Sequence, residues 1–215
     1  MEEYSTLVQT IALTMGVAWA SGINLYGTLL ALGIMSNTGY VDLPVDIQII
    51  GDPLVIAAAG LMYAVEFFAD KVPGVDTGWD TLHTFVRIPA GALLAAGFIG
   101  DVTPAAELAA AIVGGSLAAG THFTKAGSRV MINTSPEPVS NWTASIVEDI
   151  AVFAGIWAAI EHPYVFIALL AAFILLMIWL LPKLWRGIKR ILQFFVNRFN
   201  GKPDHSSNSN LPIGK

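Results

Sequence analysis

Apolar residues in this chain gather into long runs, at roughly 5–34, 53–70, 84–100, 105–132, 146–161 and 163–182. A helix needs about 20 consecutive apolar residues to cross a bilayer, so the pattern predicts an all-α membrane protein of six transmembrane helices. Breaks separate the runs: Pro44 and Asp52-Pro53, Val72-Pro73-Gly74, Thr103-Pro104, Ser135-Pro136-Glu137-Pro138 and His162-Pro163. Proline cannot continue helical hydrogen bonding, which makes each a boundary. The transmembrane domain is therefore expected over 1–182.

After residue 182 the pattern changes. Leu184, Ile188, Ile191, Leu192, Phe195 and Phe199 recur at helical spacing, with Arg186, Arg190, Gln193 and Asn197 on the opposite face. This predicts a basic amphipathic helix over 183–200, lying in the membrane interface against anionic headgroups. Residues 201–215, rich in Gly, Ser and Asn, read as a disordered tail.

Composition supports the membrane reading. Hydrophobic residues make up 55% of the 215 positions and charged residues 13%, against about 25% charged in soluble domains. The absence of cysteine excludes disulfides, thiolate metal sites and Cys nucleophiles. No Lys or Arg precedes the first run, so it is read as a retained helix and not a signal peptide. The net charge of -5 argues against nucleic acid as a partner.

The 11 Lys and Arg residues are distributed unevenly. Lys71 and Arg87 flank the second link, Lys125 and Arg129 lead into the fourth, and the rest begin at Lys183. The first, third and fifth links hold Asp42, Asp46, Asp52, Asp101, Glu107 and Glu161 instead. Cytoplasmic loops are the basic ones, so the expectation is a cytoplasmic (inner) membrane protein with both termini in the cytoplasm. A shift of 98 positions lays Gly16, Ala20, Gly22 and Ile34 over Gly114, Ala118, Gly120 and Ile132. That suggests two three-helix repeats, 5–100 and 105–182, inverted relative to each other as in many transporters.

Ionisable residues inside spans usually mark function. His122, Lys125 and Arg129 share one face of the fourth run with Gly115 and Ala118, and with Asn24 they are the candidate groups for holding an anion. Ser21, Asn24 and Thr28 form a polar face on the first run, beside the small residues Gly16, Ala20 and Gly27. Glu66, Asp70, Asp76, Asp80, Glu148 and Asp149 are the candidate proton-coupling groups, or ion-pair partners of Lys125, Arg129 and Arg87. His83 with Asp76 and Asp80 offers metal-type ligands, but no HExxH, GxSxG or nucleotide loop accompanies them. No metal, cofactor or enzymatic activity is therefore expected. The sequons at Asn133 and Asn141 fall on the basic side and read as chance matches.

Three stretches resemble a known family: Ala20-Ser21-Gly22-Ile23-Asn24-Leu25-Tyr26-Gly27, Glu66-Phe67-Phe68-Ala69-Asp70-Lys71-Val72-Pro73 with Asp76 and Trp79-Asp80, and Lys125-Ala126-Gly127-Ser128-Arg129 with Asn133-Thr134-Ser135-Pro136-Glu137-Pro138. Here the chain is similar to the bacterial membrane proteins grouped as the domain of unknown function DUF4126, over roughly residues 10–155. The resemblance implies a multi-spanning membrane protein and assigns no activity. The functional expectation is a small secondary transporter or lipid translocator for an anionic substrate, proton-coupled. The alternatives are a non-catalytic scaffold or assembly factor and a membrane enzyme acting on lipid headgroups. Membrane lipids, a small anion and a second copy of the chain are the partners considered.

Overall fold

The computed structural model describes residues 2–134 and 138–199. Met1, Ser135, Pro136, Glu137, the side chains of Glu2, Glu3, Pro138, Phe195, Asn197, Arg198 and Phe199, and the tail 200–215 lie outside the described residues. The rest is helical: α1 (Glu2–Ile23), α2 (Leu25–Asn37), a 3-10 turn (Val45–Gly51), α3 (Pro53–Ala69), α4 (Val75–Phe98), α5 (Pro104–Ile132), α6 (Pro138–Glu161) and α7 (Pro163–Phe199). Proline opens α3 and α5, where the missing N–H costs nothing. Asp52 and Thr103 cap these helices, accepting from the Leu54 and Ala106 amides at 2.8 and 3.3 Å. Gly74, at φ +86°, supplies the left-handed residue that turns the chain into α4.

Among the described residues, three helices are long and apolar enough to cross a membrane: Tyr4–Ile23, Val139–Glu161 and Pro163–Phe194. The 3-10 turn and α3 make a fourth if the pair, bent by 65°, is taken as one span. This is a membrane protein, but the count stops short of six by length and hydropathy. The helices α4 and α5 carry Asp76, Asp80, His83, Arg87, Lys125 and Arg129 along with many small residues, which lowers their mean hydropathy.

The first expected span, 5–34, is broken. Asn24 adopts an extended conformation (φ -145°, ψ 96°) between α1 and α2, and there the chain reverses. Gly16 packs on Ala159, Trp19 on Gly155, and Asn24 bonds to Asp149, so α1 runs antiparallel to α6. Past the break, Tyr40 donates to Glu161 at the far end of α6. Gly27 meets Tyr63, Gly60 meets Leu30 and Gly33 meets Ile56, so α2 runs antiparallel to α3. Tyr63 packs on Phe153 and Lys71 bonds to Ser145, which sets α3 antiparallel to α6. Together these contacts make α1 and α2 a helical hairpin, with its tip at Asn24.

This geometry bears on two expectations. Gly16 and Trp19 of α1 pack on Phe166 and Phe173 of α7 in the same order. The two helices are parallel, so the start of α1 and the end of α7 lie at opposite ends of the bundle. This arrangement gives no support to an even number of crossings with both termini on one side. The inverted repeat is not supported either. Ala18 meets Gly114, Gly22 meets Ala118 and Thr121, and Lys125 bonds to Ile23, so α1 and α5 run the same way. Copies related by an inverting two-fold axis would run in opposite directions.

The expected division at Pro182 is also absent, because α7 continues through it as one 37-residue helix. Leu184 is buried against Gly127, and Gly187 lies beside Met131. The apolar face beyond residue 182 thus packs partly on α5. Small residues hold the centre of the bundle together. A Cβ at Gly22 would lie 2.5 Å from the Ala118 carbonyl oxygen, and one at Gly114 2.2 Å from the Ala95 Cβ. Contacts this close need small side chains.

Candidate functional site

The hairpin tip is where the polar chemistry collects. Breaking the helix at Asn24 leaves backbone groups without their usual partners, and side chains supply replacements. The Asn24 Oδ1 accepts from the Gly27 amide at 2.8 Å and caps α2. Its Nδ2 donates to Asp149 Oδ1 at 2.9 Å. Lys125 Nζ donates to the Ile23 carbonyl at 3.1 Å, placing a cation at the negative end of α1.

Around that ammonium lies a buried ion-pair cluster drawn from four helices. Lys125 Nζ is 2.8 Å from Asp70, 3.4 Å from Glu66, 3.6 Å from Glu148 and 3.8 Å from Asp80. Arg87 pairs with Glu66 at 2.5 Å and Asp80 at 3.0 Å. Arg129 pairs with Glu148 at 2.7 Å and Asp70 at 3.6 Å, and donates to the Asn141 carbonyl at 3.0 Å. Arg87 and Arg129 are the two largest fully buried side chains. Helical spacing explains the convergence: Glu66 with Asp70, and Lys125 with Arg129, sit one turn apart on facing surfaces.

Charge in the cluster does not balance. Among the described residues, Arg87, Lys125 and Arg129 face Glu66, Asp70, Asp80 and Glu148, three cations against four carboxylates. Adding neighbouring Lys71, bonded to Ser145 at 3.3 Å, and Asp149 leaves the deficit at one. The atoms Glu66 Oε2, Asp70 Oδ1, Asp80 Oδ2 and Asp149 Oδ2 are buried and accept no hydrogen bond from the described residues. The Nε atoms of Arg87 and Arg129 are likewise buried without a partner among the described residues, and buried charge without a partner is costly.

His122 does not extend a cationic face. Arg87 Nη1 donates to its Nδ1 at 3.2 Å, so the ring proton sits on Nε2 and is donated to Thr84 Oγ1 at 2.8 Å. Thr84 in turn donates to the Asp80 carbonyl at 3.0 Å. His122 is thus a neutral positioning group for Arg87. The expected set of three cations on α5 reduces to Lys125 and Arg129, both already held by carboxylates.

Asp76 stands apart from the other predicted acids. Its carboxylate accepts from the Gly74 and Thr77 amides at 2.8 and 2.6 Å and from Asn133 Nδ2 at 2.8 Å. Asn141 Nδ2 donates to Asn133 Oδ1 at 2.7 Å, tying the α3–α4 turn to the α5–α6 link. Asn141 is buried, and both sequon asparagines are engaged inside the protein. His83 stacks on Trp79 and bonds to Tyr26 at 3.1 Å. Asp76, Asp80 and His83 therefore point to three different partners, and no group of His, Asp or Glu among the described residues is set to hold a metal ion.

Of the sequence-predicted residues, Asn24, Lys125, Arg129, Glu66, Asp70, Asp80, Glu148 and Asp149 meet at this one site, while His122 acts through Arg87 and Asp76 lies elsewhere. Sequence reasoning gave Arg87 only a partner's part, although it bridges two of the acids. Its signal was the seven-residue spacing from Asp80, two turns along one face. Asn133 and Asn141 were set aside as sequons, and nothing in their local pattern marks them as interior.

Residues 11–183 match the family described as a domain of unknown function, DUF4126, and the chain belongs to it. The match includes every residue of the charged cluster. No curated protein and no solved structure matches the chain.

Proposed function

We propose that this protein is a small proton-coupled secondary transporter for an anionic substrate such as a phosphate or carboxylate, worked at the tip of the α1–α2 hairpin. The observation supporting this reading is a broken helical hairpin closing on a buried charge cluster that lacks one positive charge. Helix breaks at membrane depth are tolerated where they line a site, and intramembrane charge is a functional flag by default. In the proposed cycle a proton neutralises one carboxylate, which loosens its hold on Lys125 or Arg129. The anion then takes the vacated contact. A groove of about 470 Å³ between α3 and α6, bordered by Tyr63, Phe67 and Asp149, offers a way in.

The same reading proposes a topology. The helices α3 to α7 cross the membrane, five passes in all, and the α1–α2 hairpin is re-entrant from the side of Glu161. Lys71 and Lys183 mark the cytoplasmic end, which puts the start of α1 on the opposite side. A non-catalytic scaffold is the second reading. It is favoured by one observation, that every cation of the cluster already has carboxylate partners.

The discriminating experiment is anion uptake into proteoliposomes under an imposed pH gradient. Gradient-driven uptake lost in both Asp70→Asn and Lys125→Met is expected. Stable, correctly folded protein that moves no anion from a panel of phosphates and carboxylates would favour the scaffold.

A further inference from the structure

A second region, remote from the charged cluster, has the form of a lipid site. The last turns of α7 stand off from α4 and α5 and leave a groove in two connected parts. The first, about 480 Å³, is lined almost wholly by carbon from Phe123, Ala126, Leu181, Leu184 and Ile188. The second, about 710 Å³, is bordered by Asn133, Thr134 and Arg190. Thr77 and Val130 line both, so the parts adjoin. At one edge Gly127 lets α5 and α7 touch, since a Cβ there would lie 3.1 Å from Leu184.

We propose that this groove binds one anionic phospholipid of the cytoplasmic leaflet, with an acyl chain in the carbon-lined part and the phosphate at Arg190. Charge complementarity argues for the occupant. The helix α7 contains no Asp or Glu, yet carries Lys183, Arg186, Lys189 and Arg190 in succession. Three of these have other engagements. Lys183 lies over the Trp179 ring, Arg186 Nε donates to the Pro182 carbonyl at 3.2 Å, and Lys189 lies over the Trp185 ring. Arg190 borders the polar part and, among the described residues, enters none of the ion pairs. The neighbouring Asn133 amide and Thr134 hydroxyl are held by Asp76, Asn141 and the Met131 carbonyl, so the Arg190 guanidinium is the group that would meet a phosphodiester. The order of the parts matches a lipid as well: carbon lies toward the membrane interior beside Leu181, and the cation one helical stretch further out. The site uses no residue of the charged cluster, and only its leaflet rests on the topology proposed above.

Trp185 borders the carbon-lined part and is exposed, so it reports on occupancy. The full chain would be placed in phosphatidylcholine nanodiscs containing a small fraction of acyl-brominated lipid. Trp185 quenching would be taken as the difference between wild type and Trp185→Phe. Brominated phosphatidylglycerol should half-saturate quenching at about fivefold lower mole fraction than brominated phosphatidylcholine, the factor expected for one basic residue near an anionic headgroup. Arg190→Gln, at an exposed position, should abolish that preference, whereas Lys183→Gln should leave it. Excess inorganic phosphate should not displace the lipid. Equal quenching by the two lipids, a preference retained in Arg190→Gln, a preference lost equally in Lys183→Gln, or displacement by free phosphate would each overturn the proposal.

Discussion

Replacing Lys125 with methionine keeps the length of the side chain and removes the charge at the centre of the cluster. The ammonium lies 2.8–3.8 Å from four carboxylates, and each such attraction is about 4–6 kcal/mol at an effective dielectric of 20. Desolvation of the ammonium and repulsion by Arg87 and Arg129 offset most of that sum. The net result of removing one partner from a buried ionic group is about 3–5 kcal/mol of lost stability. The variant's cluster moves from a deficit of one positive charge to a deficit of two. Adding Asp70→Asn returns the deficit to one, so the double variant should recover about 2 kcal/mol of the loss. Reversible unfolding in mixed detergent micelles, followed by tryptophan fluorescence, measures all four corners of this cycle. A loss below about 1 kcal/mol for Lys125→Met, the range of an exposed pair, would refute the reasoning. So would strict additivity of the two substitutions, because it would mean that the ammonium and the Asp70 carboxylate do not interact.

Three further outcomes follow from the geometry. The chain has no cysteine, so Gln9→Cys and Lys189→Cys can be labelled singly in intact cells and inverted vesicles; they should react from opposite sides, and reaction from the same side would refute the hairpin topology. Gly22→Leu should destabilise the bundle by about 1–3 kcal/mol in thermal unfolding, because its Cβ meets the Ala118 carbonyl at 2.5 Å; an unchanged midpoint would rule out close α1–α5 packing. Asn24→Ala removes the cap on the Gly27 amide and the partner of Asp149, so about 1–2 kcal/mol should be lost and hydrogen exchange over residues 24–28 should accelerate; unchanged exchange would place the break elsewhere.

The helices were legible because their boundaries are written in proline: Pro53, Pro104, Pro138 and Pro163 each begin one. Pairing of the charged groups was legible too, since Glu66–Asp70 and Lys125–Arg129 repeat at one helical turn and can only be satisfied by each other. The reversal at Asn24 was not. Residues 5–34 form one apolar run, and a single asparagine within it can cap a new helix or sit in a continuous one. Only the partners supplied by Lys125 and Asp149, more than a hundred residues away, decide between these outcomes. Counting crossings from apolar runs assumes that every run passes through the membrane. A run that enters and returns changes the parity of everything before it. The charge pattern is compatible with the proposed hairpin topology, since no Lys or Arg occurs before Lys71. In the proposed topology the start of the chain and the first link lie on the same, non-basic side, which is where a hairpin dipping to the charged cluster leaves them.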